Sequence, residues 1–173
     1  MSPKSNANRR NRATRRAARL ADVPPHPLIT YAPGSAALSV DLDFKTSRSL
    51  VEETKAFDTL VEILPKYGDE TNIIHLRMLF RPTLKDVEGI SRHEVLARVV
   101  EVINEFPHIQ EIAFSIVLDH FNWKQINSAS SIYCLKFLDW TFDLNVRSRK
   151  VKPVLINSSI DRRLRRVEAK FHE

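Results

Sequence analysis

Four neighbouring residues, Asp119-His120-Phe121-Asn122, come closest to a reactive constellation in this chain of 173 residues. A histidine exchanges protons near neutral pH, and a carboxylate such as Asp119 can fix its tautomer. Asn122 and Gln125 have the spacing of a helix start, where free amide groups attract anions. Asp119, His120 and Asn122 therefore form the candidate ligand-binding site. Consecutive strand residues point to opposite faces, so Asp119 and His120 need a turn to cooperate. The plainer reading is a turn aspartate, a surface histidine and a helix cap. Cys134 could be a nucleophile with His120 as its base, but a lone cysteine is usually a small buried hydrophobe.

Recognisable catalytic signatures are absent. Gly34, Gly68 and Gly89 are the only glycines, too few for a phosphate loop or a dinucleotide fingerprint. Neither a G-x-S-x-G elbow nor an H-E-x-x-H helix occurs. The histidines (His26, His75, His93, His108, His120 and His172) lack ligand spacing, so no catalytic residue, metal site or cofactor is expected. These absences weigh against the common nucleotide-dependent and hydrolase classes without deciding against every enzyme. Asn157-Ser158-Ser159 matches a glycosylation tripeptide and reads as helix-capping chemistry.

The other chemistry is charge. Residues 1–20 carry seven Lys/Arg and no acid; residues 21–146 have a net charge of −7, and residues 147–173 of +6. An acidic middle thus stands between two basic ends. Arg9, Arg10, Arg12, Arg15, Arg16 and Arg19 could meet phosphates through counterion release, which needs clustered charge rather than shape. Arg162, Arg163, Arg165 and Arg166 could join them. A nucleic acid or an import receptor is the expected partner of the basic tail, and a solvated tail is the bland alternative. A mitochondrial presequence needs a stronger apolar face than Ala13, Ala17, Ala18 and Leu20 supply. Without an apolar run near 18 residues or a secretory core, no membrane partner is expected. The expected location is intracellular, in nucleus or cytoplasm rather than mitochondrion.

The elements that must position these groups follow from periodicity. Residues 1–27 read as a disordered basic tail, ending in Pro24, Pro25 and Pro27. Residues 28–173 read as one α/β domain ending in a basic helix. Leu38, Val40, Leu42 and Phe44 alternate with polar residues after the Pro33-Gly34 turn. The same period of two recurs at Ile74–Phe80, Ile112–Leu118 and Trp140–Val146. Ser49 with Glu52 and Ser91 with Glu94 have capping-box spacing. The stripe Val95, Val99, Ile103 and Phe106 marks a helix, and Ile126, Ala129, Ser130, Tyr133 and Phe137 mark another beginning at Asn122. A last helix is expected near residues 159–172, with Leu164, Val167 and Phe171 docked.

The order β-α-β-α-β-α-β-α predicts an α/β two-layer sandwich of about four mainly parallel strands. Each strand keeps one polar or small face, so helices should lie mostly on one side. The outward positions include Ser39, Asp41, Asp43, His75, Arg77, Ala113, Ser115, Thr141, Asp143 and Asn145. They hold no aromatic residue and make a poor base-stacking platform. That polar face could instead take a protein partner.

The segment from Ile103-Asn104-Glu105-Phe106-Pro107-His108 through Asp139-Trp140-Thr141-Phe142 resembles a group of short filamentous-fungal proteins of unknown function. A Phe-Pro turn before a strand, an N-x-x-Q helix start and a D-W-T strand start recur in them. The resemblance spans about residues 101–146 and implies a structural likeness without an activity. Two readings remain: a non-enzymatic interaction module with basic tails for nuclear targeting or non-specific nucleic-acid binding, and a small ligand-binding protein or enzyme using residues 119–122.

Overall fold

The computed structural model describes residues 3–44, 50–80, 91–137, 140–146, 149–150 and 161–169. A six-stranded mixed sheet carries the fold. Its strands are β1 (Ile29–Ala32), β2 (Ala37–Phe44), β3 (Ile73–Phe80), β4 (Glu111–Leu118), β5 (Trp140–Val146) and β6 (Arg149–Lys150), and they stand in that order. β2 to β5 are mutually parallel, while β1 and β6 pair antiparallel at the two edges. The helices are α1 (Pro3–Arg19), α2 (Leu50–Ile63), α3 (Arg92–Asn104), α4 (Trp123–Asn127) and α5 (Asp161–Ala169). Short 3-10 turns follow α2 at Leu64–Glu70 and α4 at Ser130–Cys134.

The expected α/β class and the helices on one face are observed, and the strand order gives the reason. Parallel neighbours laid down in chain order, with right-handed crossovers, bring every connection back over the same side of the sheet. Burial follows: Leu38, Val40, Leu42, Leu76, Met78, Phe114 and Ile116 are sealed, while His75 and Arg77 on the reverse face are exposed. A one-residue slip would turn an inner row to water. At roughly 1.5–3 kcal/mol per large side chain, four residues represent on the order of 10 kcal/mol. That rivals the whole stability of a domain, about 5–15 kcal/mol, so the register is strongly specified.

Three differences from the sequence reading have physical causes. First, the four expected strands occur, but two more extend the sheet. β1 is four residues long and begins two residues after Pro27, too short for its alternation to register. It pairs with β2 through the Pro33-Gly34 turn, which closes on buried Ala36 at φ 55°. The Ala36 carbonyl accepts from Asn72 N at 2.9 Å, tying this left-handed residue to the start of β3.

Second, where disorder is expected over 1–27, Pro3–Arg19 is helical. Alanine and arginine are strong helix formers, and a proline at a helix start costs little. The segment after the helix is also packed. Leu20 and Val23 lie against the core, and His26 is buried. Its Nδ1 accepts from Leu28 N at 3.2 Å, and its Nε2 lies 3.1 Å from the Ala56 carbonyl. A carbonyl only accepts, so this pairing requires the neutral ring with its proton on Nε2.

Third, the helix expected from Asn122 through Phe137 is only α4 plus the 3-10 turn Ser130–Cys134. Ser128 and Ser130 weaken the helix, and Asn104 on α3 holds the chain that leaves the turn. Its Nδ2 donates to the Cys134 carbonyl at 3.0 Å, and its Oδ1 accepts from Lys136 N at 2.9 Å. The final helix is described over Asp161–Ala169, within its expected span, with Leu164 fully buried as expected. The Ser91 cap is present, its hydroxyl accepting from Glu94 N. Ser49, the segments Arg81–Ile90 and Pro153–Ile156, Arg147, Lys152 and Phe171 lie outside the described residues.

Candidate functional site

Parallel α/β sheets bind ligands beyond the carboxyl ends of their strands, and the Asp119–Asn122 segment leaves β4 at that edge. Asp119, His120 and Asn122 are all exposed. Asn122 caps α4, its Oδ1 accepting from Lys124 N at 2.9 Å and Gln125 N at 3.4 Å. The amides that an anion would need are thus already used, in a helix of only five residues. The carboxyl edge offers something else. Phe121 and Trp123 are 49% and 36% exposed, the exposed large apolar side chains among the described residues. Their rings meet edge-on at 5.0 Å and 85°.

Trp123 stands beside α5. The Arg163 guanidinium lies 4.5 Å from the Trp123 ring centre, and its Nε donates to Asn127 Oδ1 at 2.9 Å. Two residues further on, Arg165 covers Tyr133 at 4.6 Å and pairs with Asp161. The Tyr133 hydroxyl donates to the same Asp161 carboxylate. Burial first, then that bond, push the Tyr133 hydroxyl well above its ordinary range, so it stays protonated. Tyr133 also takes Trp140 edge-on at 5.3 Å. α5 is therefore clamped by two arginine–aromatic contacts, while Arg162 and Arg166 face water. Sequence reading named the arginines and missed the aromatic partners. The available signal was the pair Phe121 and Trp123, flanking the cap outside any apolar stripe.

The amino-terminal arginines sit elsewhere. Arg16 and Arg19 both pair with Glu70, at 3.7 and 2.5 Å, and Arg16 reaches the Pro33 carbonyl at 3.5 Å. Glu70 is mostly buried, and its bond and charge raise the Arg19 pKa further. Arg10, Arg12 and Arg15 are exposed; Arg12, Arg15 and Arg19 recur down one flank of α1. Arg9 lies on α1 with its side chain outside the described residues. Glu70 and Pro33 precede β3 and β2, so α1 is anchored at the amino edge of the sheet. α5 contacts Trp123 and Asn127 beyond the carboxyl edge and, through Arg165, Tyr133, which packs on Trp140 at the start of β5. An eight-residue strand spans about 26 Å, the scale that separates the Glu70 anchor from Trp123.

The polar face of the sheet holds an open depression of about 350 Å³, lined by residues that include Ser39, Asp41, His75, Arg77, Ser115 and Asp143. Register places Asp41, Arg77, Ser115 and Asp143 in one row across four strands. Arg77 forks onto Asp41, Nε donating to Oδ1 at 2.8 Å and Nη2 to Oδ2. This bond raises the Arg77 pKa, against a smaller opposing effect of burial. Cys134 is half-buried and packs against the core. Among the described residues, no group of three or more His, Cys, Asp and Glu could hold a metal ion, and no helix is long and apolar enough to cross a membrane. No family model, curated protein or solved structure matches the chain.

Proposed function

We propose that this protein is a non-enzymatic α/β interaction module that holds nucleic acid through its basic helices α1 and α5. The observation that carries the reading is α1: 17 residues with no acid, an exposed arginine flank, and a last turn fastened to the body by Glu70. A docked helix presents charge from a fixed position, so less ordering accompanies each phosphate contact than for a free tail. The α5 arginines add a second basic element. Arg77 is matched by Asp41 on the polar face, and the remaining acids Asp43 and Asp143 disfavour a polyanion there, which leaves the two helices as the contact regions.

The test is a salt series on the full chain and on the triple variant Arg10→Gln, Arg12→Gln, Arg15→Gln. These substitutions leave Arg16, Arg19 and their Glu70 anchor intact. If about five arginines, these three with Arg162 and Arg166, meet phosphates on a single strand, log K should fall with log salt at a slope of about −3.5. The triple variant should lower that slope to about −1.4. Salt-independent binding, or a slope unchanged in the variant, would refute phosphate contact by α1. In that event the arginines serve targeting or solubility.

A further inference from the structure

We infer that Phe121, Trp123 and the Arg162–Arg163–Arg166 face of α5 form a contact site for single-stranded nucleic acid, in which an unpaired base stacks on Phe121 while α5 meets the adjoining phosphates. This rests on the nucleic-acid reading above and adds to it the strand state that is bound. Large apolar rings are normally withdrawn into the core, as Phe57 and Phe114 are here. Phe121 and Trp123 instead leave much of their surface in water.

They are held there by specific bonds. Asn122, between them in the chain, locks the backbone by accepting from two amides. Trp123 is braced by the Phe121 ring at 5.0 Å and by Arg163 at 4.5 Å, and Arg163 is held by Asn127. Rings fixed in advance lose little freedom when a base arrives. The neighbouring charge has a sign and a spacing. Arg162 and Arg166 lie four residues apart, and Arg163 and Arg166 three apart, so all three share one side of α5. Asp161 does not neutralise them, because Arg165 and Tyr133 already engage it.

Aromatic rings interleaved with guanidinium groups suit a ligand that carries both flat π-faces and regularly spaced negative charge. A single strand carries both. A duplex keeps its base faces stacked inside and offers only phosphates, and an acidic peptide does not carry a flat ring on every charged unit. The occupant is therefore an unpaired strand.

The experiment uses the full chain with three probes at one salt concentration: a twelve-nucleotide oligothymidylate, a duplex of that strand with its complement, and vesicles containing phosphatidylserine. Phe121→Ala removes an exposed ring, and Phe121→Trp restores one. Base–aromatic stacking contributes about 1–3 kcal/mol, so Phe121→Ala should weaken oligothymidylate binding by roughly tenfold or more. Duplex affinity should be unchanged, Phe121→Trp should recover single-strand binding, and tryptophan emission of the wild type should be quenched by the oligonucleotide. Equal loss on both nucleic acids, or no loss on either, overturns the inference. Vesicle binding that depends on Phe121 without an effect on oligothymidylate also overturns it, in favour of a lipid surface. The α1 triple variant separates the two readings: if it weakens oligothymidylate binding while Phe121→Ala does not, the general nucleic-acid reading stands and this one fails. If Phe121→Ala acts and the α1 variant does not, this site stands and α1 is relieved of the role. Absence of binding by the wild type at low salt refutes both.

Discussion

A single buried ring illustrates how residue chemistry sets a condition on the fold. His26 must be neutral to accept from Leu28 N and donate to the Ala56 carbonyl, and burial lowers its pKa, partly offset by the Ala56 bond. In the unfolded chain the same group titrates near 6.5. Between the lowered value and 6.5 the unfolded state binds more protons, so stability rises with pH there. The contribution is complete above pH 6.5 and is lost as pH falls from there through the lowered folded value. Urea midpoints measured from pH 7.5 to 5 should therefore decline more steeply for the wild type than for His26→Gln, which cannot titrate. Identical slopes would mean that His26 is not the responsible group. Nothing in the sequence marked this histidine: it lies among three prolines, and its partner Ala56 is 30 residues away.

At the scale of elements, legibility followed the length and regularity of the apolar pattern. The eight-residue strands and α3 could be read because each repeats its period several times and α3 carries its own cap at Ser91. α1 could not. Its helix is encoded by backbone propensity and by an anchor, Glu70, that lies 51 residues from Arg19. Composition alone favours disorder for such a segment, and the ion pairs that hold it are invisible along the chain. The consequence is testable with Glu70→Gln, which weakens both pairs while leaving the arginines in place. Trypsin should cut after Arg16 and Arg19 several-fold faster in the variant, with the sheet core still resistant. Equal cleavage rates would show that the helix stays in place without Glu70. α4 shows the reverse case: its cap was legible, but the chain that follows it is held at Cys134 and Lys136 by Asn104 of α3, a tertiary bond. At the candidate site the arginines were legible as composition, whereas their pairing with Trp123 and Tyr133 required α5 to fold back by about 30–40 residues.

For the whole molecule, the parallel central strands followed from strand–helix alternation, and the helices on one side followed from the polar or small face that each strand keeps. The edge strands did not, since each is short and stabilised mainly by its neighbour. Stability should grade accordingly. β3 and β4 are the two central strands of the sheet, while β1 and β6 are paired on one side only. Native-state hydrogen exchange should show the slowest amides in β3 and β4, with β6 opening first. Uniform exchange across the sheet would indicate a single cooperative unit without frayed edges.

The identity of spatial order and chain order bears on synthesis as well. A strand that pairs with its immediate predecessor need not wait for a later partner, so the sheet can lengthen by one strand at a time as the chain emerges. Each intermediate presents one growing edge, and the next strand to arrive is the one that covers it. The polypeptide leaves the ribosome in its order of assembly, and the basic helix that precedes the sheet gains its anchor when Glu70 appears.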